Sequence, residues 1–296
     1  MDRNAVISQG AVAVAAVAAL LLGPAALRAQ AGDPYTIETM DEYNGGLRAL
    51  WMDLGIQVEQ IEALTIGDVR RSTRLHRQPV RWVPNDPRRN ADGINLTYLV
   101  EQADLAASGL DPARTEAAID NAMSNWASVS CFAAKVRVTK RADSGADPDI
   151  FDALNGYGGF GDYRLADVVL AGWMPPSFFD QVSGPGSGEE VVAFSVTFIY
   201  VGPDGQPTDL NRDGYLDTAA NEIYYNEAFS WLLGAEGKGI DVESVVLHEL
   251  GHSLGIGHFE APPVSVMNPV YLGERRVLEP LDRAALCSIW GNWPKK

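Results

Sequence analysis

Basic residues are few in this 296-residue chain: 23 Lys and Arg stand against 39 Asp and Glu, for a formal net charge of −16. A protein that tracks a phosphate backbone needs clustered Lys and Arg, so a general nucleic-acid role is excluded. The acidic balance favours solubility and attracts cations, and it names no substrate. Long apolar runs are missing too. The stretch from Ala11 to Leu22 ends at Gly23-Pro24, short of the about 20 residues that a membrane-spanning helix needs. Arg3 precedes it and Ala29-Gln30-Ala31 follows, so residues 1–31 read as a cleaved signal peptide rather than a retained anchor. The expected product is a secreted protein, extracellular or periplasmic, monomeric and with no stable membrane insertion.

Cysteine is scarce. In an exported chain, Cys131 and Cys287 without CxxC spacing suggest one long-range disulfide, with two buried free thiols as the alternative. Histidine is scarce as well, with four in all, and three of them fall within eleven residues. The fourth, His76, lies in a basic stretch and reads as a surface residue.

Hydrophobic content of 46% and charged content of 21% are those of an ordinary globular protein. Residues 32–79 form a weakly patterned leader or propeptide-like segment. Leu47, Leu50, Trp51, Leu54, Val58 and Ile61 have near-helical spacing there. A basic run follows, with Arg70, Arg71, Arg74, Arg77 and Arg81; it is a linker, a contact with the body or a processing site. Residues 80–296 are expected to form one catalytic domain. Strands are expected at Ile94–Val100, Lys135–Thr139, Asp167–Ala171 and Val191–Val201. Asp111-Pro112 should open a helix that carries Ile119, Met123 and Trp126 and ends near Val129. The glycines at 156, 158, 159 and 161 read as a loop without phosphate-binding context.

The chemistry concentrates in His248-Glu249-Leu250-Gly251-His252-Ser253-Leu254-Gly255-Ile256-Gly257-His258. Asp241 can cap a helix that starts at Val242. On that helix His248 and His252 are four residues apart, so both imidazoles leave one face and can share a zinc ion. Gly255 can take the left-handed conformation that stops the helix and returns His258 as a third ligand. Three neutral imidazoles leave one coordination place for water, the mark of a catalytic rather than a closed structural site. Glu249, next to the first ligand, is placed to take a proton from that water.

These residues resemble the metzincin zinc endopeptidases, whose motif HExxHxxGxxH precedes a methionine turn. Ser265-Val266-Met267-Asn268-Pro269-Val270-Tyr271 resembles that turn in its matrixin form. The resemblance implies that Met267 floors the metal site and that Pro269 to Tyr271 wall the pocket for the residue after the scissile bond. Ile223 to Trp231 resembles the matrixin edge strand, which aligns extended substrate antiparallel to itself, and Leu281 to Gly291 resembles the closing helix. Three departures stand out. Tyr224 occupies the place of a histidine that serves a second zinc in many matrixins, so one zinc is expected. Residues 32–130 contain no cysteine, which excludes latency through a propeptide thiol. Cys131 and Cys287 resemble a bridge of astacin-like metzincins, which leaves the subfamily open.

Asp209, Asn211, Asp213 and Asp217 place oxygens at alternate positions, with Gly214 after the third, like the first part of a calcium loop; the acid expected at its twelfth position is missing, since Ala220 stands there. A structural calcium is expected there, a plain polar turn being the alternative. By resemblance, Asn226 and Glu227 are candidates for a further cation site. The expected fold is α+β and zincin-like: a twisted mixed sheet, a long active-site helix, the methionine turn and a C-terminal helix. The expected activity is peptide hydrolysis. Its rivals are a zinc hydrolase of non-peptide amides and an exported, metal-stabilised binding module.

Overall fold

The computed structural model describes residues 54–66, 79–89, 95–101, 109–143, 145–158, 163–234, 237–260, 262 and 264–294. Residues 1–31, expected to be a signal peptide, and Leu47, Leu50, Trp51, His76 and the arginines at 70, 71, 74 and 77 lie outside them. In chain order the elements are β1 (Ile56–Thr65), β2 (Val80–Arg81), β3 (Leu96–Val100), α1 (Pro112–Ala127), α2 (Ser130–Ala133), β4 (Val138–Arg141) and α3 (Phe151–Asn155). They continue with β5 (Val168–Met174), α4 (Pro176–Ser183), α5 (Ser187–Glu190), β6 (Val191–Tyr200), β7 (Leu216–Asn226), β8 (Trp231–Leu232), β9 (Ile240–Asp241), α6 (Val242–Ser253) and α7 (Pro280–Trp290). The mixed α/β architecture is compatible with the metzincin fold.

One seven-stranded mixed sheet, ordered β1-β6-β7-β5-β3-β4 with β2 beside β7, separates two cores. On one face α1 and α6 pack together, and Trp126 donates its indole N–H to Leu247 O at 2.7 Å. On the other face Phe151, Phe178, Phe179, Phe194 and Tyr224 form an aromatic cluster. The strands and α1 form near the expected positions. Asp111 caps α1 by accepting from Arg114 N at 2.9 Å, and Pro112 opens its first turn.

Two expectations are corrected. Residues 56–65 are a strand of the main sheet rather than the end of a leader helix, and β1 pairs antiparallel with β6 from Ile56↔Tyr200 to Thr65↔Val191. The folded body therefore begins ahead of residue 80. Ile223–Asn226 is not an edge, because β7 lies between β6 and β5. The strand on its outer, antiparallel side is β6, and β1 in turn covers β6.

Cys131 and Cys287 form a disulfide that ties α2 to α7 across 156 residues. Closing so long a loop removes unfolded-chain entropy worth about 5 kcal/mol. Arg81 shows where the end of the basic run goes. It is buried, pairs with Asp213, and donates to Ile289 O at 2.7 Å and Asn292 Oδ1 at 3.1 Å.

Candidate metal centre

Helix α6 begins at Asp241, whose carboxylate accepts from Ser244 N at 3.0 Å and from the Arg276 guanidinium. It ends where Gly255 takes φ +85°, and a Cβ there would sit 2.8 Å from Val80 O. Glycine is required at that turn on both counts. The reversal brings His258 back to the helix, with its ring centroid 4.7 Å from that of His252 and 5.2 Å from that of His248. All three rings and Glu249 are buried.

The protons of two rings follow from their neighbours. His248 Nδ1 lies 2.7 Å from Val266 O, and His252 Nδ1 lies 2.7 Å from Ile256 O. A carbonyl only accepts, so each Nδ1 carries the hydrogen and donates it. In the neutral rings the Nε2 atoms are then bare lone pairs. Yet the Nε2 atoms of His252 and His248 are 3.1 Å apart, and those of His248 and His258 are 3.2 Å apart. Lone pairs that converge in a buried site need a shared cation, and three imidazoles suit zinc. Burial keeps His248 neutral, with its pKa lowered to about 4. The residues present therefore fit the metal.

Glu249 is fully buried, and neither carboxylate oxygen has a hydrogen-bond partner among the described residues. Burial raises its pKa well above the ordinary value, and the Glu62 charge adds to the rise. A cation beside it would pull that value back down.

Met267, also fully buried, packs against the helix that carries His248 and His252. A Cβ at Gly251 would stand 2.3 Å from its sulfur, so glycine there is what lets the methionine reach the helix. The turn that carries it is organised by Asp282, a residue the sequence reading passed over. Its carboxylate accepts from Val266 N at 3.0 Å, from Glu279 N at 2.8 Å and from the Ser265 hydroxyl. The available signal was its place three residues into α7, where it closes a capping box with Glu279. Further on, Tyr271 Oη accepts from Asp241 N at 2.9 Å, which ties the segment after Met267 to the start of α6.

In the loop at 209–217 the acids accept from protein donors. Asp209 accepts from the Asp213 and Gly214 amides, each at 2.9 Å. Asp213 pairs with Arg81, and Asn211 Nδ2 donates to it at 2.8 Å. Asp217 accepts from Arg88 at 2.7 Å and from the Thr208 hydroxyl at 2.6 Å. Arginine supplies counter-charge to Asp213 and Asp217. Asn226 is likewise engaged, donating to Gly188 O and Val191 O and accepting from Ala228 N. Carboxylate oxygens do gather elsewhere: those of Glu101, Asp147 and Asp149 lie within 4.8 Å of one another on the far side of the sheet.

Residues 204–291 match the family model for matrixins. The matched segment carries the three histidines, Glu249 and the methionine turn. Human matrix metalloproteinase-25 is 33% identical over 82 residues, covering 26% of this chain and 14% of that protein. The mouse protein of the same name is 38% identical over 55 residues, 18% of this chain and 9% of its own. The chain thus matches only a small part of these relatives, and β1 lies outside the matrixin match. Among the described residues no helix is long and apolar enough to cross a membrane.

Proposed function

We propose that the chain is a secreted zinc metalloendopeptidase that uses Glu249 as general base. One observation carries this reading: three buried imidazoles with converging Nε2 atoms, beside a buried carboxylate that no protein donor engages. His248, His252 and His258 would hold the zinc. Bound there, zinc supplies Lewis acidity toward a carbonyl and lowers the pKa of water to about 7.

The chain's own residues account for the rest. Val266 O and Ile256 O fix the tautomers of two ligand rings, so neither ring is free to turn away. Glu249 takes the proton of the attacking water and returns it to the leaving amine nitrogen. A carboxylate already tied up by protein donors would be a weak base, and Glu249 is not tied up. Backbone groups of β6 and of Pro269–Tyr271 hold the extended strand β1 between them, an arrangement that suits an extended peptide rather than a compact amide.

Glu249→Gln preserves shape and removes the base. It should keep bound zinc at the wild-type ratio while peptide turnover falls about 10²- to 10⁴-fold. Zinc analysis together with a peptide hydrolysis assay reads both. Wild-type turnover in that variant would end this assignment.

A further inference from the structure

The groove beside the metal centre is already filled by the chain itself. β1 pairs with β6 along its whole length, and its last residues are gripped from the other side as well. Thr65 N donates to Pro269 O at 3.1 Å, and Tyr271 N donates to Thr65 O at 2.7 Å, in a parallel bridge between Thr65 and Val270. Ile66 N donates to Glu190 O at 2.9 Å. Main-chain pairing on both lips, with alternate side chains sent into pockets, is how proteins hold an extended peptide.

The side chains fix the position of this peptide relative to the histidines. Leu64, 3% exposed, lines a pocket together with His248, Val266, Val270 and Tyr271. Two residues earlier on the same face, the Glu62 carboxylate lies 3.3 Å from His258 Nδ1. Ala63, between them, turns to the opposite face and packs in the aromatic core. Leu64 thus shares a pocket with the first histidine and Glu62 reaches the third, which sets the backbone around Ala63 and Leu64 beside the metal centre.

We propose that residues 56–66 are a tethered peptide that closes the cleft to other substrates, and that Ala63–Leu64 is the bond the site cuts in its own chain. This rests on the endopeptidase reading. One water is consumed and the C–N bond breaks. The hydroxyl joins the Ala63 carbonyl carbon, and the proton taken by Glu249 goes to the Leu64 nitrogen. The products are a carboxylate at Ala63 and an amine at Leu64. Latency of this kind needs no cysteine, and release opens both lips of the groove together.

The test uses the full chain, zinc-loaded, with three measurements: the onset of hydrolysis of an unrelated peptide, the N-termini present over time, and binding of a labelled peptide copying residues 56–66. Wild type should show a lag that ends as a new N-terminus at Leu64 appears. Thr65→Pro deletes the N–H given to Pro269, and Leu64→Asn puts a polar amide into the buried pocket wall while keeping the pairing. Either variant, once melting and zinc content show it folded, should start without a lag, at a rate roughly tenfold or more above wild type. In the inactive Glu249→Gln background, Thr65→Pro should bind the labelled peptide roughly tenfold or more tighter than Glu249→Gln alone. Equal initial rates, equal peptide binding and no cut at 63–64 would overturn the tethered-peptide proposal and leave the endopeptidase reading standing. A self-cut at another bond would overturn the register. No hydrolysis by any folded, zinc-loaded form would overturn the endopeptidase reading and self-cleavage together.

Discussion

The two cores of this protein each bury a cluster of ionisable side chains, and the clusters are opposite in kind. Next to α6, burial keeps His248 neutral and carbonyl oxygens take the Nδ1 hydrogens of His248 and His252, so the Nε2 atoms of the three rings face a common point. Across the sheet, Asp149 and Asp152 stand near Glu101, Asp147 and Glu222, and the largest charge effects on both come from these neighbouring carboxylates. Burial first, and the neighbouring charges second, push the Asp149 and Asp152 pKa values upward. The basic cluster thus suits a cation, and the acidic cluster retains protons. A gathering of metal-capable side chains is informative only when the state of its protons is known.

The sharpest break in this comparison is to remove one histidine. His252→Ala leaves two lone pairs and a gap. Wild type should gain about 4 kcal/mol of stability at a thousandfold excess of free zinc over its Kd, and the variant should gain little. Thermal melts with and without zinc read the difference. An equal zinc response in both proteins would mean that the metal sits elsewhere.

Asp282 tests the comparison from the acidic side. It is as buried as Asp149, but it has the donors that Asp149 lacks: the Val266 and Glu279 amides and the Ser265 hydroxyl. Asp282→Ala strands those donors in a dry interior and should cost about 3 kcal/mol. It should also loosen zinc, because Val266 O is the acceptor that fixes His248. A chelator competition alongside the melt would register both losses. A stable variant with unchanged zinc affinity would remove Asp282 from the support of the site.

The histidine cluster was legible in the sequence because one helix and one turn deliver it. Residues 248–258 are contiguous, and helical spacing with a glycine stop determines where their side chains go. The disulfide was readable from count and compartment alone. β1 was not, for a definite reason. A bulge between Val58 and Gln60 inserts an extra residue, so the inward positions run Ile56, Val58, Ile61, Ala63. The three-residue step from Val58 to Ile61 imitates a helix. At 209–217 the alternate oxygens were legible, but Arg81 and Arg88, the arginine partners of Asp213 and Asp217, lie over a hundred positions away and carry no local signal. The acidic cluster was invisible for the same reason, since Glu101, Asp147, Asp149 and Glu222 meet only when the sheet forms.

The smallest effect separates the two clusters by pH. A carboxyl whose folded pKa is raised keeps its proton where the unfolded chain has lost it, so the folded state is progressively disfavoured as pH rises above about 4. Asp149 and Asp152 both act in that sense. His248 acts in the other: its folded pKa near 4 lies below the unfolded value, so stability is lost as pH falls through the interval between them. Zinc-free protein should therefore be most stable at an intermediate pH, with the acidic cluster shaping the upper limb. Asp149→Asn removes one retained proton and should flatten that limb by about 1.4 kcal/mol per pH unit while leaving the lower limb in place. Melts of the two proteins from pH 4 to 8 decide it. An unchanged upper limb would mean that Asp149 is ionised in the folded protein and that a counter-charge faces it. The contrast between a proton-holding core and a cation-ready one would then be lost.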